Sequence, residues 1–285
     1  MSVASEIAVR AEPPLTVIEP RGRWSTFDFH ELWRFRELLL FLIWRDVKIR
    51  YKQTAIGASW ALLQPLAAMA AFTIALGRVV GEPGAAVPYW LFVLCGLVPW
   101  TFFSSAVSQT GVSVVNNQAL VTKVYFPRIL LPLSAAGLAG VDFLVGFGVL
   151  IVAALGVGVV PGVSLLALPL VLAVMALAAV GLGVFLAALT VRFRDFRVVV
   201  PLAVQLWLFL TPAIYDQSGR TVGPENAPLF LMNPMQAVVA NFRAALFGMP
   251  LDWLGLGVAA AIGIVLFIAG GWYFRRTERA FADII

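Results

Sequence analysis

From Ile129 to Val191 the chain carries one charged side chain, Asp142. Laid out as a single helix, that stretch would measure about 95 Å at 1.5 Å per residue, far more than the ~30 Å hydrocarbon core of a bilayer. It must fold back on itself, and Gly156-Val-Gly-Val-Val-Pro161-Gly162 supplies the turn residues for the reversal. Two membrane-length helices follow, at 129–155 and 163–190. Elsewhere, residues 53–77 and 83–122 contain no charge. They predict spans at 58–80, with Trp60 to Gly77 as the apolar part, and at 89–110. Apolar stretches at 198–215 and 253–274 complete a set of six, the last bounded by Asp252 and Arg275.

Composition agrees with this pattern. Hydrophobic residues make up 61% of the chain and charged residues 12%, whereas soluble domains carry about a quarter charged residues. Too little polar surface exists here to cover a water-soluble fold. The fold class expected is therefore an all-α integral membrane protein. A single cysteine, Cys95, and a single histidine, His30, leave no material for an internal disulfide, a cysteine metal cluster or an H-E-x-x-H zinc site.

The basic residues test the span count, because lysine and arginine gather in cytoplasmic loops. Seventeen of the twenty fall before the first span, between spans two and three, between four and five, and after six. The other three, Arg78, Arg220 and Arg243, belong to the opposite side. This alternation predicts six crossings with both termini cytoplasmic. It also accounts for the net charge of +5 without any role in nucleic-acid binding.

Residues 1–29 are polar and lack the apolar centre of a signal peptide, and they read as a flexible cytoplasmic N-terminus. Residues 30–52 differ. Leu38 to Trp44 is too short to span, and arginines, lysines, Trp33 and Trp44 flank or end it, which predicts an amphipathic helix in the cytoplasmic headgroup layer. A cytosolic helix packed on the core is the competing reading. The membrane domain would then occupy 53–278 and a cytoplasmic tail 279–285. Between spans five and six, Asn233-Pro234 is a good helix start, and Gly248 with Pro250 a good stop. A short helix that dips into or lies on the outer leaflet is expected over 233–247, with Val238, Val239, Phe242 and Leu246 on one face; a surface helix packing on the tops of the spans is the competing reading.

No G-K-[ST] phosphate loop and no G-x-S-x-G elbow occurs. Asp142, near the middle of the third span, costs roughly 3 kcal/mol to insert if it stands alone, so it is a functional candidate by default. The reading preferred from sequence is structural: hydrogen bonding within the bundle, or exposure to an aqueous cavity. Uphill transport by this chain would need energy from a partner or an ion gradient.

Several segments resemble the permease subunit of ABC-2 type exporters of cell-surface polysaccharides such as O-antigen, capsule or teichoic acid. They are Arg50-Tyr-Lys-Gln-Thr-Ala-Ile-Gly-Ala-Ser-Trp60 with Gln64-Pro65, Gly96-Leu-Val-Pro-Trp-Thr-Phe-Phe-Ser104, Leu120-Val-Thr-Lys-Val-Tyr-Phe-Pro-Arg128, Arg192-Phe-Arg-Asp-Phe-Arg197, Asn233-Pro-Met235 and Phe274-Arg-Arg-Thr-Glu-Arg279. The resemblance implies a homodimer joined to two copies of a separate ABC ATP-binding subunit, which would hold the ATP and magnesium, so that this chain itself needs no cofactor and is no enzyme. It implies residence in the bacterial inner membrane and a lipid-linked glycan as substrate.

The same resemblance assigns roles by position. The loop from Asn116 through Lys123, Tyr125, Phe126 and Arg128 would dock on the ATPase, with Arg192, Arg194, Asp195 and Arg197 as a second contact. Headgroup anchoring by Lys123 and Arg128 is the plainer reading of that loop and is compatible with docking. The first and fifth spans would line the conduit, making Trp60, Gln64, Gln205, Trp207, Phe209 and Tyr215 candidates for gliding contacts with sugar rings. Lipid-facing rings are the plainer reading of Trp207 and Phe209. A basic rim of Arg45, Lys48, Arg50 and Lys52 would attract the phosphates of a lipid carrier. Export of a lipid or drug by the same architecture, or an ion-coupled carrier, are the competing functions.

Overall fold

The structure is a computed structural model that describes residues 29–52, 60–80, 87–159, 162–215, 232–278 and Phe281. The expected flexible terminus, apart from Phe29, and most of the tail lie outside the described residues. Every regular element among them is helical: α1 (Phe29–Arg34), α2 (Arg36–Lys52), α3 (Trp60–Val80), α4 (Tyr89–Asn116), α5 (Gln118–Lys123), α6 (Leu130–Gly156), a 3-10 turn (Val163–Ala167), α7 (Leu168–Arg192), α8 (Phe196–Leu210), α9 (Pro234–Phe247) and α10 (Trp253–Glu278).

Four helices are long and apolar enough to cross a membrane: α4, α6, α7 with its preceding 3-10 turn, and α10. They coincide with the expected spans at 89–110, 129–155, 163–190 and 253–274. α4 buries 20 of its 28 residues, and its partly open face carries Thr101, Ser104, Ser105, Ser108 and Gln109 at helical spacing. It is the centre of the bundle, flanked by α3, α6, α7, α8 and α9. α7 and α10 make the most extensive helix pair. Glycines allow it: a Cβ on Gly181 would strike the backbone of Leu266 and Phe267, and one on Gly270 would strike the carbonyl of Gly181. Close backbone approach through small residues is how helices associate in lipid, where apolar burial gives little drive.

The other two expected spans are shorter. The apolar part of α3 runs from Leu62 to Gly77, and α8 has 15 residues, about 22 Å of helix. The span expected at 198–215 stops at Leu210 because Thr211 precedes Pro212, and the proline ring pushes the residue before it out of the α region. Thr211 is extended, with ψ 130°, and Thr211 to Ile214 turn back into the protein and are buried.

The described connections sort to two ends. At one end Leu42 of α2, Val121 of α5, Phe126, Val191 of α7, Phe274 near the end of α10 and Phe281 beyond it share a single apolar cluster. These belong to the four segments that the basic residues assigned to one side. At the other end the Tyr89 hydroxyl donates to the Ile214 carbonyl (2.8 Å), and the Ser164 hydroxyl donates to the Ala245 carbonyl (3.1 Å).

α9 forms as its sequence predicts. The Asn233 side chain accepts from the Met235 amide (3.1 Å), Pro234 sits at the first turn, and Gly248 closes the helix with φ 73°. Val238, Val239, Phe242 and Leu246 are all fully buried. The helix is more enclosed than an element resting on the outer leaflet: it packs on α4, α7 and α10, and Phe242 lies 6.0 to 6.4 Å from the rings of Phe147 and Phe143 on α6.

Candidate functional site

α2 climbs along α6 and is fastened to the bundle by polar contacts spaced along its length. The Arg45 guanidinium donates to Asp46 (2.7 and 2.9 Å) and to the Asn117 side-chain oxygen (3.0 Å) at the junction of α4 and α5. Asp46 also accepts a weak bond from the Ser134 hydroxyl (3.4 Å) on α6. Near its C-terminal end, Arg50 forms an ion pair with Asp142 (2.6 Å), and the Tyr51 hydroxyl donates to the same carboxylate. Asp142 is thus not the isolated charge that its span suggested. Its neighbours reach it from a helix some ninety positions earlier, both hydrogen-bonding it and leaving it beside a cleft.

That cleft is lined by Arg50, Gln64, Thr101, Ser105, Asp142 and Phe143, among others. Four helices contribute: α2, α3, α4 and α6. Asp142 is the thirteenth of the 27 residues in α6, so the cleft lies beside the middle of that helix. Burial is the main reason why the Tyr51 hydroxyl is pushed up to about 12, helped by its hydrogen bond to the Asp142 carboxylate. Tyr51 therefore stays a neutral donor throughout the physiological range.

α2 has two apolar faces. Leu38, Leu39, Leu42 and Ile43 pack inward, with Leu42 buried. Leu40, Phe41 and Trp44 stay exposed, as does Trp33 of α1, and the cations of Arg36 and Lys48 sit over the rings of Trp33 (4.8 Å) and Trp44 (5.3 Å). An exposed apolar face edged by ring-capped cations suits a headgroup layer. Of the expected basic rim, Lys48 and Lys52 face outward, while Arg45 and Arg50 are engaged internally.

The 116–128 loop is divided. Asn116, Lys123 and Tyr125 are exposed, Tyr125 to 84%. Phe126 turns inward and is buried with Leu42 and Phe274. Arg128 is tied to the end of α10: its backbone amide donates to the Glu278 carboxylate (3.1 Å), and its guanidinium donates to the Glu278 carbonyl. In the second loop, Arg192, Arg194, Asp195 and Arg197 are all exposed. Asp195 makes no ion pair among the described residues, and it serves through its carbonyl, which accepts from the amides of Val198 and Val199.

The conduit candidates also separate. Gln64 reaches the cleft. Trp60, Gln205 and Phe209 point outward from α3 and α8. Trp207 is turned inward, its indole N–H donating to Asn233 (3.1 Å) and its ring edge-on to Phe103 at 5.3 Å. Tyr215 is half-buried and donates to the Phe209 carbonyl (3.3 Å).

Arg243 was legible only as an outer charge. It is buried, 5% exposed, and donates to the carbonyls of Pro212 (2.7 Å), Ala213 (2.5 Å) and Phe92 (3.2 Å) while stacking 3.6 Å from the Phe92 ring. Gly96 makes room, since a Cβ there would collide with both Ala213 and Arg243. A helix that ends early leaves carbonyls without partners, and this guanidinium collects those beyond α8. No spacing rule points to it, because backbone acceptors carry no residue identity.

The ABC-2 type transporter family model matches residues 37–247. An O-antigen export system permease protein RfbA of Myxococcus xanthus is 30% identical over 258 residues, covering 90% of this chain and 98% of that protein. Two proteins of the same description from Klebsiella pneumoniae are 26% and 27% identical over 252 residues, each covering 87% of this chain and 95% of its own length.

Proposed function

This chain belongs to the ABC-2 type transporter family, and on that premise we propose that it is the permease subunit of an exporter of a cell-surface polysaccharide. The observation that carries the proposal is the likeness to O-antigen export permeases along nearly the whole length of both partners. The chain is a multi-pass membrane protein and a transporter component, not an enzyme. The finer reading is an exporter in the bacterial inner membrane, made of two copies of this chain and two ABC ATP-binding subunits, that carries a lipid-linked glycan outward.

Several features support that reading. α3 and α8 are the least enclosed of the long apolar helices, with Pro65 the only buried residue on α3 and Val200 and Val204 the only ones on α8, among the described side chains. Outward apolar positions such as Ile74, Leu202 and Leu206 call for cover by lipid or by a second copy. α3 and α8 then complete a six-span domain, consistent with the sorting of connections to two ends. Lys123, Tyr125 and the arginines at 192–197 form an exposed basic and aromatic surface at the end where α2 and the end of α10 meet, which suits a docked ATPase.

The test is assembly and output together. Affinity-tagged chain, extracted in mild detergent, is expected to retain an ABC ATP-binding subunit, and deletion of its gene is expected to strip one glycan from the cell surface. Retention of no ATPase, together with an unchanged surface glycan, contradicts the proposal.

A further inference from the structure

We propose that Glu278 and Phe281 are positioning residues for ATPase docking: they clamp the loop that carries Lys123 and Tyr125 onto the end of α10, and through α10 onto α7. That role presupposes the exporter proposed above, with its separate ATP-binding subunit, and adds the residues that hold the docking loop in place.

Between the end of α5 at Lys123 and the start of α6 at Leu130 the chain has no helix of its own. Local backbone bonds close the two ends, from the Val124 amide to the Leu120 carbonyl and from the Leu130 and Leu131 amides to the carbonyls of Pro127 and Arg128. Such a loop takes its shape from what it is tied to. Glu278, the last residue of α10, ties it at two points. Its carboxylate accepts from the Arg128 backbone amide (3.1 Å), and its carbonyl accepts from the Arg128 guanidinium. Both contacts match the helix dipoles: an anion sits just before the N-terminus of α6, and a cation at the C-terminus of α10. Hydrogen bonds to charged groups are the stronger kind, and a backbone partner fixes the loop itself rather than one side chain.

Phe281 adds an apolar anchor. It is 1% exposed, meets the Phe274 ring edge-on at 5.2 Å, and shares its cluster with Val121 and Phe126. The exposed run from Thr122 to Tyr125 is thus pinned at both ends by buried side chains. The far side of the clamp is firm as well. α10 lies backbone to backbone on α7 at Gly270 and Gly181, and the rings of Phe185 and Tyr273 pack at 5.2 Å. α7 leads directly into the exposed turn from Arg192 to Arg197. The two candidate docking surfaces are therefore joined into one platform, with Glu278 as a polar link between them.

The experiment uses the full chain assembled with its ATP-binding subunit. One introduced cysteine, Tyr125→Cys or Arg194→Cys, carries a photoreactive cross-linker in otherwise wild-type, Glu278→Ala and Glu278→Gln chains; native Cys95 is buried. Cross-linking of the subunit from position 125 is expected to fall about fivefold in Glu278→Ala, the population change that one lost hydrogen bond of ordinary strength brings. Cross-linking from position 194, on the direct continuation of α7, is expected to persist. Glu278→Gln keeps an acceptor oxygen for the Arg128 amide and is expected to stay within about twofold of wild type at both positions. Phe281→Ala is expected to lower the yield at position 125 selectively, and Phe281→Leu to restore most of it. An undiminished yield at position 125 in Glu278→Ala and Phe281→Ala overturns the proposal, and so does an equal loss at both positions. If neither position captures a subunit in the otherwise wild-type chain, the export reading itself fails, and this proposal with it.

Discussion

Two polar constellations hold this apolar bundle together, and they are built on opposite principles. At the outer end, Arg243, Asn233 and Asn241 spend their hydrogen bonds largely on backbone. Arg243 binds three carbonyls. Asn241 donates to the carbonyls of Ala237 (2.9 Å) and Asp252 (3.0 Å) and accepts from the Asp252 amide (2.9 Å). Asn233 caps α9 while donating to Leu210 and Thr211 at the end of α8. Beside the middle of α6, by contrast, Arg50 and Tyr51 bind Asp142 through side chains at the border of a cleft. Backbone carbonyls cannot be redirected without moving a helix, whereas side-chain pairs can exchange partners. The outer constellation reads as a fixed clasp and the inner one as a contact between side chains alone.

The comparison predicts unequal costs. The largest belongs to Arg243→Met, which keeps the bulk of the side chain but leaves three carbonyls without their donor. Each buried unsatisfied group costs about 1–3 kcal/mol, so a loss of roughly 3 kcal/mol or more is expected, read as a sharp drop in the detergent thermal midpoint. An unchanged midpoint would break the comparison. Asp142→Asn comes next. It keeps an acceptor for Tyr51 and loses the ion pair, so stability should fall by only about 1–2 kcal/mol while glycan export falls further than stability explains. Export at the wild-type level would return Asp142 to a purely structural role.

Exposed positions should separate stability from coupling altogether. Lys123→Glu combined with Tyr125→Ala is expected to leave stability within about 0.5 kcal/mol of wild type, because neither side chain is buried. ATPase activity in the assembled complex should nevertheless lose its dependence on substrate. The smallest effect concerns Tyr51. Its raised pKa means that the folded chain holds the hydroxyl proton after the unfolded chain has lost it. The stabilisation is therefore complete below about pH 10 and is lost as pH rises toward about 12. Tyr51→Phe should flatten that alkaline decline and change little at pH 7.

The two constellations also differ in how far sequence exposes them. The caps of α9 were legible because capping is local: Asn233, Pro234 and Gly248 each act within a turn of their own position. Asp142 was legible as a site because charge is rare in a span, but its partners were not, since Arg50 and Tyr51 come from a helix whose basic residues suggested only a headgroup rim. The early end of α8 was written in Thr211-Pro212, a signal that the apolarity of the surrounding residues outweighed. Phe126 turned inward for a similar reason: an aromatic in a loop satisfies a docking surface and a buried cluster equally well until the fold chooses.

The most direct test of the account uses one engineered cysteine. Native Cys95 is buried, so it should stay silent toward an impermeant maleimide. Tyr125→Cys, in the exposed loop after α5, should resist labelling from outside intact cells, react in inverted membranes, and cross-link to the ATP-binding subunit through a short bifunctional reagent. Labelling of this cysteine from the outer face of intact cells would put the docking surface on the wrong side of the membrane and contradict the account.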